Sequence, residues 1–168
     1  MKKVFIILCI ICAIIPCIVY GVAIAKSINM SGNCISYFSM AADANSAELA
    51  EKHLTTGIEY LEENNLTEGN TKIFVYKPTK DLGLWYENLK STQVQLQELN
   101  AREELTELEE SNALMKLRET LLDSEGSVTY PSMISFYPNH IIWFWAIILI
   151  WILWCGSFIF GVLAYEYA

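Results

Sequence analysis

The chain has 168 residues, of which 54% are hydrophobic, and a net charge of −8 at pH 7. These averages combine two apolar runs with an acidic middle segment, residues 26–140, that holds nine basic against eighteen acidic side chains. Nucleic acids and anionic lipids attract clustered Lys and Arg, so the charge of this segment argues against both as partners. Four of the five cysteines lie in the apolar runs, which excludes a disulfide-based scaffold for the middle segment.

Residues 4–25 form the first apolar run, which contains no charged side chain and follows Lys2 and Lys3. A helix of this length matches the roughly 30 Å hydrocarbon core of a bilayer, and residues 141–163 repeat the pattern. We therefore predict two transmembrane helices. By the positive-inside rule, residues 1–3 and the tail at 164–168 are cytosolic and residues 26–140 lie outside.

A cleaved signal peptide is the alternative reading of the first run, because Ala23, Ile24 and Ala25 have the A-x-A form of a cleavage site. The run is longer than the roughly 7–15 apolar residues of a usual signal peptide. Its length favours a retained membrane anchor.

Small residues recur every four positions along the first run, and the second run offers a shorter version. Positions four apart share a helical face, and small side chains let helices approach closely in lipid. We expect these faces to pack together or to self-associate, through Cys9, Ala13, Cys17, Gly21 and Ala25 of the first run and Ser157 and Gly161 of the second. Pro16 should kink the first helix.

The middle segment shows two long helical patterns, at about residues 34–64 and 82–123, with an irregularity expected at Ser31-Gly32. The first pattern has an apolar stripe that includes Ala47, Ala50, Leu54 and Leu61, and Asn64 ends it. Asp81 is the expected N-cap of the second, whose coiled-coil-like seam is interrupted at Glu103, so that helix should change partner or bend near Asn100. The expected fold is mostly α: two transmembrane helices flanking an antiparallel helical hairpin, followed by an extended juxtamembrane segment at 124–140.

Residues 65–81 are expected to form the membrane-distal tip of this hairpin. Residues 71–76 have strand composition, and the expected partner is residues 127–137 or the same strand of a second chain. Four aromatic side chains, Phe74, Tyr76, Trp85 and Tyr86, are the candidate interaction surface of the tip. The alternative, which we favour, is that they form a small core joining the tip to the helices.

The sequence offers no constellation for catalysis, cofactor binding or metal binding. It contains no glycine-rich phosphate loop and no H-E-x-x-H motif, and His53 and His140 are far apart in the chain. Cys9 and Cys12 match C-x-x-C only inside an apolar run, where a thiolate is costly. We expect a protein that is not an enzyme and that has no cofactor.

This layout resembles the sensory domains of two-pass bacterial chemoreceptors and sensor kinases, which place a periplasmic helical bundle between two membrane helices. The resemblance covers the layout of the whole chain and implies a bacterial inner (plasma) membrane. The sequence departs from these proteins after Leu163, where no signalling module follows.

Three hypotheses for function follow from the topology. The first is a structural or accessory membrane subunit, a homo-oligomer or part of an assembly with other membrane proteins. The second is a regulator that senses an unknown small molecule. The third is an envelope immunity or lysis-control protein of a phage or mobile element.

Overall fold

The computed structural model describes residues 2–102, 104 and 106–166, and these residues are mostly helical, as predicted. Five residues lie outside the described ones: Met1, Glu103, Leu105, Tyr167 and Ala168. The predicted interruption of the seam at Glu103 and the last two residues of the predicted tail are therefore not described. The α-helices are α1 Lys2–Met30, α2 Ser36–Ala42, α3 Ala47–Glu63, α4 Leu82–Asn100, α5 Glu107–Leu121 and α6 His140–Glu166. A π-helical turn, Ser31–Ile35, joins α1 to α2 at the expected irregularity, and 3₁₀ turns occur at Pro78–Lys80 and Ile134–Phe136.

The chain divides into two units, here named the apolar unit (residues 1–27 and 138–168) and the bundle (residues 28–137). Two helical stretches, Ile6–Ala42 and His140–Leu163, are long and apolar enough to cross a membrane. In the apolar unit, α1 and α6 expose large side chains such as Ile18, Trp151 and Phe158. Water disfavours an apolar surface of this extent, and lipid would cover it.

Within the bundle, α2 to α5 form successive antiparallel pairs. The Cys34 thiol before α2 donates to the Gly57 carbonyl of α3 at 3.6 Å. The pairing of α3 with α4 is fixed by hydrogen bonds from the side chain of Gln93 to Thr55 (2.8 Å) and from that of Asn100 to Glu51 (2.6 Å). The side chain of Lys116 on α5 donates to that of Gln95 on α4 at 3.1 Å. The result is an up-down-up-down arrangement of four short helices.

The first helix predicted for the middle segment, residues 34–64, is therefore two helices, α2 and α3. Asp43 follows the last residue of α2, and the Ser46 hydroxyl caps α3 by accepting the backbone N–H of Leu49 at 3.3 Å. Asp, Asn and Ser side chains compete with helical hydrogen bonds, so the segment 43–46 turns the chain back. Asn64 ends α3 as predicted.

The second predicted helix, residues 82–123, is also two helices. Asp81 caps α4 as predicted, and α4 ends at Asn100, where the shift of the apolar seam predicts a bend. α5 then begins with a capping box, in which the Thr106 hydroxyl accepts the N–H of Glu109 and the Glu109 carboxylate accepts the N–H of Thr106. The single long hairpin is thus replaced by two shorter ones.

The predicted strand at 71–76 is wrong, since the described residues contain only isolated β-bridges, Asn70 with Asp81 and Leu122 with Val128. The backbone N–H of Thr71 is bonded to the Lys80 carbonyl (3.0 Å), within the same loop. Only the start of the proposed partner segment, residues 127–129, shows β-type pairing in the described structure, and it pairs with the end of α5, where Thr129 N–H donates to the Leu121 carbonyl at 2.8 Å.

The core of the bundle lies where the four helices meet. The predicted stripe Ala47, Ala50, Leu54 and Leu61 is buried there. Its largest fully buried side chains include Phe38, Leu54, Ile58, Leu61, Leu82, Leu89, Leu117 and Ile134, which come from α2 to α5 and from the 3₁₀ turn before α6.

Candidate functional site

The contact between α1 and α6 brings together three of the small residues singled out in the sequence. The Cys9 sulfur lies 3.5 Å from both the carbonyl oxygen and the hydroxyl of Ser157, and the Ser157 hydroxyl donates to the Cys9 carbonyl at 3.3 Å. A Cβ atom added at Gly161 would lie 3.9 Å from the Cys9 sulfur. Small side chains therefore permit the close approach of these two helices.

The remaining small residues of α1 do not continue this contact. Ala13 is half-buried, whereas Cys17, Gly21 and Ala25 are exposed, and the buried positions among the described residues of α1 within the apolar unit are Cys12 and Pro16. At 3.6 residues per turn, each step of four residues rotates by about 40° around the helix. Ala25 consequently faces away from Cys9, and the stripe winds off the α6 contact.

Two of the four candidate aromatic residues pack against the core of the bundle. The Trp85 ring makes an edge-on contact with Phe38 at a centroid distance of 5.7 Å, and its indole N–H donates to the Thr129 carbonyl at 3.1 Å. The Tyr86 hydroxyl donates to the Glu62 carboxylate at 2.6 Å, and Lys90 binds the same oxygen at 3.2 Å. These two bonds lower the pKa of Glu62, while burial and the Glu62 carboxylate raise the pKa of Tyr86 to about 12.

The other two candidates lie on a closed loop, residues 70–81, which we name the aromatic loop. Phe74, Val75 and Tyr76 are 75%, 67% and 61% exposed. Two hydrogen bonds close the neck of the loop, from Leu82 N–H to the Gly69 carbonyl (2.7 Å) and from Thr71 N–H to the Lys80 carbonyl (3.0 Å). Phe74 and Tyr76 are thus on an exposed loop, whereas Trp85 and Tyr86 pack against the core of the bundle.

The aromatic loop lies at the end of the bundle where the chain both enters and leaves it. Because α3 runs antiparallel to α2, its last turns lie beside the π-helical turn, as the bond from Cys34 to Gly57 shows. Gly69, at φ +102°, packs so closely on the Tyr137 hydroxyl that a Cβ atom would overlap it. Within the bundle, the break at 43–46 reverses the chain between α2 and α3, so the loop that follows α3 lies at this end.

The aromatic loop is positively charged although the bundle is acidic. It holds three of the bundle's eight basic residues, Lys72, Lys77 and Lys80, and only one of its eighteen acidic residues, Asp81. Asp81 accepts the Leu84 N–H at 3.0 Å and the Tyr76 hydroxyl at 2.9 Å, and both bonds lower its pKa. The acidic net charge of residues 26–140 gives no sign of this lysine cluster. Counting charges over short windows of the sequence would have found it.

A groove of about 330 Å³ separates α4 from α5. Its lining includes Gln95, Glu98, Arg102 and Lys116 beside the apolar Leu96 and Leu99. Among the described residues, no three His, Cys, Asp or Glu side chains are placed to hold a metal ion.

Comparison of the chain with protein-family models, with curated proteins and with solved structures found no match.

Proposed function

We propose that this chain is a two-pass membrane protein without enzymatic activity that serves as a structural or accessory subunit. Its membrane helices and its bundle bind partner proteins, either further copies of the chain or other membrane subunits. The observation that carries this proposal is the second face of α1, where Cys17, Gly21 and Ala25 are exposed while Cys9 packs on α6.

Space at this second face supports the assignment. A Cβ atom added at Gly21 would meet nothing within 4 Å, so none of the described residues requires a glycine there. Exposed small residues leave a shallow groove that a neighbouring helix can enter, and in lipid such close packing is a main source of helix association.

The test compares tagged full-length chains purified in mild detergent, with mass spectrometry and size analysis of what accompanies them. The parent chain is expected to carry a defined set of membrane proteins at fixed stoichiometry, and Gly21→Leu should remove most of them by filling the groove. Val22→Leu is the matched control, because Val22 is exposed on a neighbouring face. Purification as a monomer would contradict the proposal, and a homo-oligomer without other proteins would contradict the accessory role and leave only self-association.

The groove between α4 and α5 favours a second candidate, a regulator that senses a small molecule. Its volume of about 330 Å³ lies near the lower limit of ligand pockets, roughly 300 Å³, and Arg102 and Lys116 supply charge for an anionic ligand. A compound that raises the unfolding temperature of the parent chain, but not of Lys116→Met, would favour this function over the first.

A further inference from the structure

We propose that the aromatic loop binds the phospholipid headgroups of the membrane that α1 and α6 cross. Phe74, Val75 and Tyr76 enter the interfacial layer, while Lys72, Lys77 and Lys80 contact lipid phosphates. This inference shares the membrane crossing with the proposed function and adds a lipid site outside the membrane helices.

The first argument is the position of the loop within the bundle. The loop shares its end of the bundle with both chain connections to the membrane helices: Ile28, which belongs to α1, and Tyr137, against which Gly69 packs. Three residues lead from Tyr137 to His140, the first residue of α6, and an extended chain spans at most about 11 Å over that distance. The loop therefore lies beside a short chain connection to a membrane helix, which gives it a route to the lipid surface.

The second argument is the apolar surface of the loop. Phe74, Val75 and Tyr76 are consecutive and each is more than half exposed, whereas the hydrogen bonds at the neck use the backbone and leave these side chains outward. Aromatic rings are enriched at the headgroup layer because they combine an apolar body with a polar edge. Tyr76 fits this role, since its hydroxyl is bonded to Asp81 while its ring is exposed.

The third argument is charge complementarity. Lys72 and Lys77 are exposed and Lys80 is half-buried, while the rest of the bundle has five basic against seventeen acidic side chains. An anionic surface attracts the loop and repels the remainder, which orients the bundle with the loop toward lipid. Each lysine near such a surface strengthens binding roughly fivefold, and salt weakens the attraction.

A second copy of the chain fits the loop less well than lipid does. Two loops related by a twofold axis would bring three lysines against three lysines, and like charges at close range repel. Lipid phosphates instead offer negative charge beside an apolar layer, which matches both components of the loop.

The test places an environment-sensitive fluorophore on the full chain through Val75→Cys and measures it in proteoliposomes. Val94→Cys is the matched control, because Val94 is 47% exposed on α4, outside the loop. The labelled parent chain gives the background from its own cysteines, and flotation with the liposomes verifies that the chain is integrated.

We expect blue-shifted emission and quenching by lipid-borne doxyl groups at position 75 but not at position 94. Adding phosphatidylglycerol to phosphatidylcholine should increase the quenching, and the triple variant Lys72→Gln, Lys77→Gln, Lys80→Gln should remove that increase.

Floating proteoliposomes in which position 75 is quenched no more than position 94 would overturn the lipid proposal and leave the subunit proposal standing. A blue shift without doxyl quenching would also overturn it, since protein would then cover the loop. A chain that does not float would overturn both proposals.

Discussion

At the scale of single residues, Gly57 sets how closely α2 and α3 approach. A Cβ atom built on it would lie 2.5 Å from Cε1 of Phe38, a ring that is fully buried and held against Trp85. The Gly57 carbonyl also accepts a hydrogen bond from the Cys34 thiol, so α2 and the turn before it both contact α3 at Gly57. A glycine inside a helix normally weakens it, and here close packing compensates.

We expect Gly57→Ala to lower the free energy of unfolding by about 1–3 kcal/mol, because the added methyl group overpacks the Phe38 site. This loss should appear although alanine favours a helix by roughly 1 kcal/mol over glycine. Denaturant unfolding of the full chain in detergent measures it. The control is Gly32→Ala, where a Cβ atom meets nothing within 4 Å and no loss is expected.

A double variant separates the clash from a general loss of stability. Phe38→Leu alone leaves a smaller side chain in the core, and combining it with Gly57→Ala should cost less than the sum of the two single variants. Additive effects, or equal stability of Gly57→Ala and Gly32→Ala, would show that the contact does not limit the packing of α2 on α3.

At the scale of elements, helix ends with a local signal could be predicted and turns fixed by distant contacts could not. Asn64 and Asp81 act through hydrogen bonds to their own neighbouring turns, and both predictions are confirmed. The break after Ala42 has a weak local signal in Asp43, Asn45 and Ser46, but the sequence on both sides of it is rich in helix formers. It is stabilised by contacts with α5, from Ala47 N–H to Glu110 (2.8 Å) and from Arg118 to Asp43 (3.6 Å), which no local pattern reveals.

The start of α5 depends on its capping box, so we expect Thr106→Ala to reduce stability by about 1 kcal/mol. The hydroxyl of Thr106 satisfies the N–H of Glu109, which alanine leaves without that acceptor. Thermal and denaturant unfolding measure the change. Thr56→Ala is the matched control, since Thr56 only bonds back to the Lys52 carbonyl within α3, and its effect should stay within about 0.5 kcal/mol. Equal effects of the two substitutions would contradict a role of the box in starting α5.

At the scale of the whole molecule, the missed break at 43–46 and the predicted bend near Asn100, which is a full break, decide where the candidate site lies. The sequence alone predicts the apolar runs, the helical class and the aromatic residues Phe74, Tyr76, Trp85 and Tyr86. It places these residues at the far end of a long hairpin, because uninterrupted helices would carry them there. The chain reverses between α2 and α3 and again between α4 and α5, and these reversals bring the aromatic loop to the end of the bundle that carries both chain connections.

The contact between Asp43 and Arg118 distinguishes the four-helix bundle from the long hairpin. Their charged atoms are 3.6 Å apart in the structure and both side chains are more than half exposed. In an unbroken hairpin aligned by the pair Glu62 and Lys90, they would be offset by roughly ten residues, or about 15 Å.

We therefore expect a zero-length carbodiimide, which joins a carboxylate to a touching amine, to cross-link positions 43 and 118 in the variant Arg118→Lys. The native pair Glu62 and Lys90, at 3.2 Å, is the internal control, and the parent chain, whose guanidinium does not couple, is the negative control. Peptide mass spectrometry that finds the link between 62 and 90 but never the one between 43 and 118 would restore the long hairpin and move the aromatic loop away from the chain connections.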